Sequence, residues 1–447
     1  MAAREAKMAA GGTTGEFHAA ASSGMAGWTR LQIMVVALCT LINMLDGMDV
    51  LIISYVAPAM AKDWGVSFEM LGVVFSAGLV GMMLGSIVLA PLADGTGRRP
   101  VVLGALVVIT IGAFGTGLVR ELPALVVFRL LTGLGIGTLL ASVAALASEY
   151  APPGKRSIAI GWFQAGYPIG AVLTGFASIW AIPQFGWQST LLGTAVVSAA
   201  VLPFAFFLLP ESQDFLQNRQ PAGALAKINA LRVQLNMPQL DSLPPPRSRG
   251  ALPKLGHLFS GGLWKSTLTL WLSIFLGYLV LYFVTSWIPR LATEAGLSAA
   301  NSLWAGSVFN LGGIVGTTSI GWLATRRDIG WLIRCYMLVG AVLLVVFSQS
   351  MPLALVLAVA VGMGLAVQGG FSGFYSLAAQ IYLTEVRSSG IGWAIGIGRG
   401  GSVIGPLLGG FLLGQQLPLW IVFLCFAIPL ALSGTLAALI RGRSDLA

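Results

Sequence analysis

Charge, histidine and cysteine are all scarce in this chain of 447 residues. Charged residues make up 9% of it, against about 25% in an ordinary soluble domain, which excludes a surface that faces water on every side. The three cysteines, Cys39, Cys335 and Cys425, each lie inside an apolar run, so neither a disulfide scaffold nor a zinc framework is available. Both histidines, His18 and His257, fall outside those runs, and no His-Glu-x-x-His pattern occurs. No metal, cofactor or enzymatic chemistry is expected. Residues 1–29 lack the apolar core and cleavage site of a signal peptide and read as a cytoplasmic N-terminal tail.

Apolar residues are abundant: 56% of the chain is hydrophobic, with a mean hydropathy of +0.86. The 58 glycines are spread along the apolar runs, as in closely packed membrane helices. About 20 apolar residues cross the roughly 30 Å hydrocarbon core. Twelve such runs occur, at 31–60, 68–92, 100–119, 123–149, 157–181, 188–209, 265–289, 300–324, 331–349, 352–381, 388–413 and 418–440. They are continuously apolar and too long for barrel strands. The predicted fold is an all-α membrane protein of twelve transmembrane helices in two pseudo-symmetric six-helix halves, 30–209 and 265–440, joined by a cytoplasmic linker, 210–264, and followed by a tail, 441–447. In the linker, Leu225, Ile228, Leu231 and Leu235 recur at helical spacing and predict a short amphipathic helix on the cytoplasmic face.

The net charge of +9 does not point to nucleic acid. Sorted by loop, 20 of the 25 basic residues fall on the side of the N-terminus, three (Lys62, Arg120, Arg290) on the opposite side, and two within spans. By the positive-inside rule both termini face the cytoplasm, and the lipid bilayer is the first partner.

The sequence matches itself at an offset of 231 residues: Arg156-Ser157 with Ile160-Gly161-Trp162 becomes Arg387-Ser388 with Ile391-Gly392-Trp393, and Gly85 becomes Gly316. Two parallel repeats place a substrate site at their interface near the midplane. The exceptions to the repeat are charged. Asp46 and Asp49 map to Gly277 and Val280, Arg129 to Ala360, and Arg399 to Pro168. One half does without these charges, so the scaffold does not require them, and each costs about 2.5–3.5 kcal/mol at a helix centre.

Asp46 and Asp49 lie three apart on one face of span one, with Cβ atoms roughly 5–6 Å apart. Two carboxylates so close in a poorly solvated interior do not both ionise readily, which is what a proton carrier requires; the alternative is a pair tied up by arginine and backbone donors. Arg129, about 9 Å into span four, lies at a depth where it can pair with Asp49, as a proton-dependent switch or as a permanent ion pair. Arg399 sits about 16–17 Å deep in span eleven with no acid on its own helix. Its planar fork suits a substrate carboxylate, or a resting pair with Asp46 or Asp49. Gln164 with Trp162, Asn310 with Phe309, Gln368, Phe371 with Phe374, and Trp393 are candidates to wall a pocket for a hydroxylated ring.

These residues resemble the major facilitator superfamily over about residues 30–440. Ala90-Pro-Leu-Ala-Asp94-Gly-Thr-Gly97-Arg98-Arg99 is similar to its loop 2–3 signature, departing from it at Ala90 and Gly95. Arg129-Leu-Leu-Thr-Gly133-Leu-Gly135 resembles the span-four motif whose arginine is associated with proton coupling. The resemblance implies a cytoplasmic gate of Asp94, Gly97, Arg98, Arg99 and Glu149. Asp46-Gly47-Met48-Asp49 is similar to the Asp-Gly-x-Asp element of the aromatic acid:proton symporters, and Pro210-Glu211-Ser212 also looks like that family. It implies proton-coupled uptake of a small aromatic acid such as a hydroxybenzoate across a bacterial inner membrane, by a monomer. Alternatives are a symporter of another organic acid or metabolite, a drug exporter, disfavoured by the partial antiporter motif at Gly166-Tyr167-Pro168-Ile169-Gly170, and a non-transporting receptor for aromatic acids.

Overall fold

The computed structural model describes residues 27–152, 154–245, 263–294, 296–382 and 387–440, the side chains of 299 and 387–389 excepted. Most of both expected tails, His18, His257 and the side chains of the Arg387-Ser388 repeat therefore lie outside the described residues.

Among the described residues, twelve long helices follow the apolar runs, with ends within a few residues of the hydropathy limits. The first half contains α1 (Arg30–Trp64), α2 (Phe68–Thr96), α3 (Arg98–Leu118), α4 (Leu122–Glu149), α5 (Arg156–Phe185) and α6 (Trp187–Leu208). Two short helices follow, α7 (Gln213–Arg219) and α8 (Ala224–Gln234). The second half contains α9 (Trp264–Glu294), α10 (Ala299–Leu323), α11 (Ile329–Phe347), α12 (Leu353–Ile381), α13 (Arg387–Gly414) and α14 (Leu419–Leu439). Eleven are long and apolar enough to cross a membrane. The twelfth, α10, has the length but carries Asn301, Ser307, Asn310, Thr317, Thr318 and Ser319, and packs along α12 and α5. Ser302, Ser307 and Asn310 are buried there, while Thr317 and Thr318 stay exposed.

Local chemistry sets the ends. Thr29 and Gln32 form a reciprocal capping box at the start of α1, with bonds of 2.9 and 3.3 Å. Ser67, Ser298 and Asp328 cap α2, α10 and α11. Near its end α2 widens to a π-turn over Gly85–Leu89 and tightens over Ala90–Leu92, which bends the chain into the loop before α3.

The 231-residue offset is present in the packing. Gly85 lies against the Leu134 carbonyl, and Gly316 against that of Leu365; Gly170 lies against the Met44 carbonyl, and Gly401 against that of Phe275. Each pair maps onto the next at the same offset. The halves meet on the repeat axis, where the Ser54 hydroxyl donates to the carbonyl oxygens of its repeat mate Thr285 and of Ser286, at 3.0 and 2.8 Å.

The face on which α1 begins and α14 ends is called here the terminus face, and the opposite one the far face. Packing between the halves is concentrated toward the far face. Gly72 meets Pro406, the Ser76 hydroxyl donates to the Val403 carbonyl at 2.8 Å, and Phe75 stands edge-on to Trp287 at 5.0 Å. Toward the terminus face, among the described residues, no comparable packing joins α4 and α5 to α12 and α13. The linker helix α8 docks on protein: Ile228 is buried, and Leu231 and Leu235 pack with Leu31, Tyr150 and Leu209 of the first half.

Candidate functional site

Four helices, α1, α5, α9 and α13, run from the terminus face toward the far face and share one level near their middles. The backbone of Tyr167 on α5 presses on Gly47 of α1, where no side chain fits. At the repeat-related position the roles are exchanged: Gly398 of α13 receives the ring of Tyr278 from α9. Residue 47 maps to 278 and residue 167 to 398, so all four stand at one height. Asp46 precedes the first glycine and Arg399 follows the second. The two opposite charges therefore lie at the same depth on either side of the interface, within electrostatic range of one another.

Asp46 is 6% exposed, and its Oδ1 is buried without a hydrogen-bond partner. Around it stand Tyr167 and Tyr282, while Tyr278 and Tyr282 neighbour Arg399 and Tyr375 neighbours Tyr278. Five of the eight tyrosines, Tyr55 included, surround this centre. None was singled out from sequence, because hydropathy assigns a tyrosine neither to lipid nor to the interior. The exchange of Gly47 and Tyr278 at the repeat offset was the available signal. Pro168, the repeat mate of Arg399, lacks the N–H that would bond the Gln164 carbonyl, so α5 is loosened at this level.

Asp49, on the next turn of α1, turns to a different partner. Arg129, 3% exposed, donates from Nη1 to Asp49 Oδ1 at 2.6 Å and from Nη2 to the Asp49 carbonyl at 3.2 Å. Gly78 makes room for the guanidinium. The remaining space, bordered by Ile53, Phe75, Met82 and by Ser286 of the other half, is about 10 Å³, enough for about one water and no ring acid. The pair thus lies behind the central site, sealed where the halves meet.

Beside the centre stands a chain of polar side chains from three helices. Tyr55 Oη of α1 donates to the Ala171 carbonyl of α5 at 3.4 Å and stands beside Ser307 and Asn310 of α10, Asn310 Nδ2 donates to the Gly306 carbonyl at 3.0 Å, and Gln368 Nε2 of α12 donates to Asn310 Oδ1 at 3.2 Å. Phe371 is buried against Tyr278, ring centroids 4.3 Å apart, and Phe374 packs inside the second half. Gln164 is exposed one turn from Tyr167 on the same face of α5. Trp393 is exposed and stacks on Trp271 at 6.5 Å, and Trp162 is 62% exposed.

At the terminus face Arg98 pairs with Glu149. Glu211 binds this group to the linker: its Oε1 accepts from the backbone N–H groups of Arg98 and Arg99 at 2.9 and 3.2 Å, and its carbonyl accepts from Tyr150 Oη at 2.7 Å. Ser212 Oγ donates to Glu149 Oε2 at 2.7 Å, Arg99 Nη2 to the Phe206 carbonyl at 2.6 Å, and Arg219 Nε to the Asp94 carbonyl at 3.0 Å. Gly97 has a φ of +105° and a Cβ there would enter the Glu211 carboxylate, so both conformation and space demand glycine. Sequence reading gave Glu211 and Ser212 no role at this face, since their contacts are more than 60 residues distant along the chain.

Residues 39–367 match the profile of the Major Facilitator Superfamily. The chain is 34% identical to a gallate transporter of Pseudomonas putida over 93% of both chains, and 33% identical to a 4-hydroxybenzoate transporter of Acinetobacter baylyi over 90% of both. In fold it resembles the crystal structure of a D-xylose-proton symporter, with a TM-score of 0.72 at 15% identity, covering 92% of this chain and 98% of that one.

Proposed function

This chain belongs to the major facilitator superfamily, and from that premise we propose that it imports an aromatic carboxylate such as a hydroxybenzoate together with protons, by alternating access to the site between its halves. The observation that carries this reading is the pair of opposed charges, Asp46 and Arg399, held at one level on the interface of two halves whose packing, among the described residues, is concentrated on the far face. A fixed structural pair has no need of a buried carboxylate oxygen without a hydrogen bond. Arg399 holds the substrate carboxylate through its planar fork. Asp46 carries the proton, while Asp49 and Arg129 sense it where the halves meet. Asn310 and Gln368 read ring hydroxyls with amide donors and acceptors, beside the aromatic wall of Phe371.

The terminus-face cluster of Asp94, Arg98, Arg99, Glu149 and Glu211 latches the cytoplasmic side as the halves rock. The asymmetry of basic residues supports an inner-membrane protein with both termini cytoplasmic. The site and both closing faces are built within one chain, which supports a monomer as the working unit.

Uptake of labelled 4-hydroxybenzoate by cells expressing the protein tests the reading. Accumulation that collapses with a protonophore is the expected result. Binding without accumulation identifies a receptor, and transport of aliphatic acids with no competition from ring acids overturns the substrate class.

A further inference from the structure

We propose that Tyr282 is a substrate-binding residue that links the proton on Asp46 to the occupancy of Arg399, an inference that rests on the function proposed above. Its placement is unusual. The ring packs against two hydrophobic clusters, one shared by both halves and one built from the first half. It lies beside Tyr278, ring centroids 5.7 Å apart. Its repeat mate is Leu51, so the scaffold is built without a hydroxyl at this position.

The helix geometry brings its hydroxyl to the charges. Residue 282 stands at the height of Leu51, five residues and therefore about 7–8 Å beyond Asp46 toward the far face. Long side chains on a helix lean toward its N-terminus, and on α9 that direction leads back to the level of Asp46 and Arg399. Both charges lie within electrostatic range of the Tyr282 hydroxyl. Asp46 is faced by Asp49 on its own helix, Tyr167 from α5, Tyr282 from α9 and Arg399 from α13; Tyr282 is also faced by Tyr278 and by Tyr375 of α12. Asp49 is occupied by Arg129, which leaves the phenols as the neutral hydrogen-bonding groups around Asp46.

A phenol has one hydrogen to donate and lone pairs to accept with. While Asp46 is ionised, the Tyr282 hydrogen points to its carboxylate. Once Asp46 is protonated it becomes a donor to the phenol oxygen, and the phenol hydrogen turns toward Arg399, where it meets the carboxylate of an arriving substrate. The proton stays on Asp46 and no covalent bond changes. Proton first, substrate second is the order this imposes, because only the protonated state offers the anion a second donor beside the guanidinium.

The test is the affinity of purified protein for 4-hydroxybenzoate at pH 6 and pH 8, with proteoliposome counterflow alongside. Wild type is expected to bind more tightly at pH 6. In Tyr282→Phe the ratio of Kd at pH 8 to Kd at pH 6 should fall at least fivefold, the loss of affinity falling on the pH 6 value. Tyr278→Phe, which removes a neighbour of Arg399 and not of Asp46, should weaken binding at both pH values and keep the ratio. A Tyr282→Phe protein with the wild-type ratio overturns the inference and leaves the transport reading intact. Wild-type protein that neither binds nor moves any ring acid overturns the transport reading, and this inference with it. Should Tyr282→Phe fail to fold, Asp46→Asn reads the link from its other end: its affinity at pH 8 should match wild type at pH 6, and a retained pH dependence refutes the proposal.

Discussion

A methyl group added at Gly47 is the most direct probe of how the site is built. A Cβ there would lie 2.8 Å from the carbonyl carbon of Tyr167 and 3.0 Å from its Cα, and closer still to the carbonyl oxygen. Carbon atoms settle at about 3.5–4.0 Å, so α1 and α5 must part by about 1 Å, and because the obstructing atoms are backbone no rotamer change relieves them. Overpacking costs about 1–3 kcal/mol, here toward the upper end, against a gain of about 1 kcal/mol from helix propensity. A net loss of about 2 kcal/mol is expected in Gly47→Ala. At Gly398 the obstacles are side chains, the Tyr278 ring at 2.8 Å and Ile274 Cγ2 at 2.5 Å, which can yield, so Gly398→Ala should lose less. Nothing lies within 4 Å of a Cβ at Gly392, and Gly392→Ala should hold or gain stability. Thermal unfolding in detergent gives the ranking. Uptake of labelled 4-hydroxybenzoate should follow it, with Gly47→Ala reduced at least tenfold because Asp46 moves with α1. If Gly47→Ala melts and transports like Gly392→Ala, the claim that Asp46 and Arg399 are levelled by these two seats is refuted.

Arg399→Ala should weaken 4-hydroxybenzoate binding about 100-fold or more, with Arg399→Lys intermediate because a point charge replaces a fork; equilibrium binding at fixed pH decides it, and unchanged affinity removes Arg399 from the site. Asp49→Asn should abolish protonophore-sensitive accumulation while counterflow survives, and Arg129→Met, which strands a buried carboxylate, should destabilise the protein by about 3–5 kcal/mol, read as a lowered unfolding midpoint. Asn310→Leu should cost about tenfold in affinity for 4-hydroxybenzoate and little for benzoate; equal losses for both would assign Asn310 to packing. Glu211→Ala should expose the linker to protease and slow uptake at unchanged affinity, since it releases two backbone N–H groups of the α3 start at about 1 kcal/mol each.

The amino-acid order alone determined the twelve helices, the two halves and the charges that stand outside the repeat. The reason is that hydrocarbon imposes length and apolarity on each crossing independently of its neighbours, so spans can be read one at a time. It also placed Asp49 within reach of Arg129, because depth in a helix is a count of residues. Tertiary structure alone decided what no count along one helix contains. It left Asp46 within electrostatic range of Arg399 while Asp49 paired with Arg129, drew five tyrosines to the centre, left Trp393 exposed against Trp271, and brought Glu211 to the start of α3. Those outcomes depend on which faces meet, and inside a membrane both the lipid-facing and the buried side of a helix are apolar, so hydropathy carries little record of the choice.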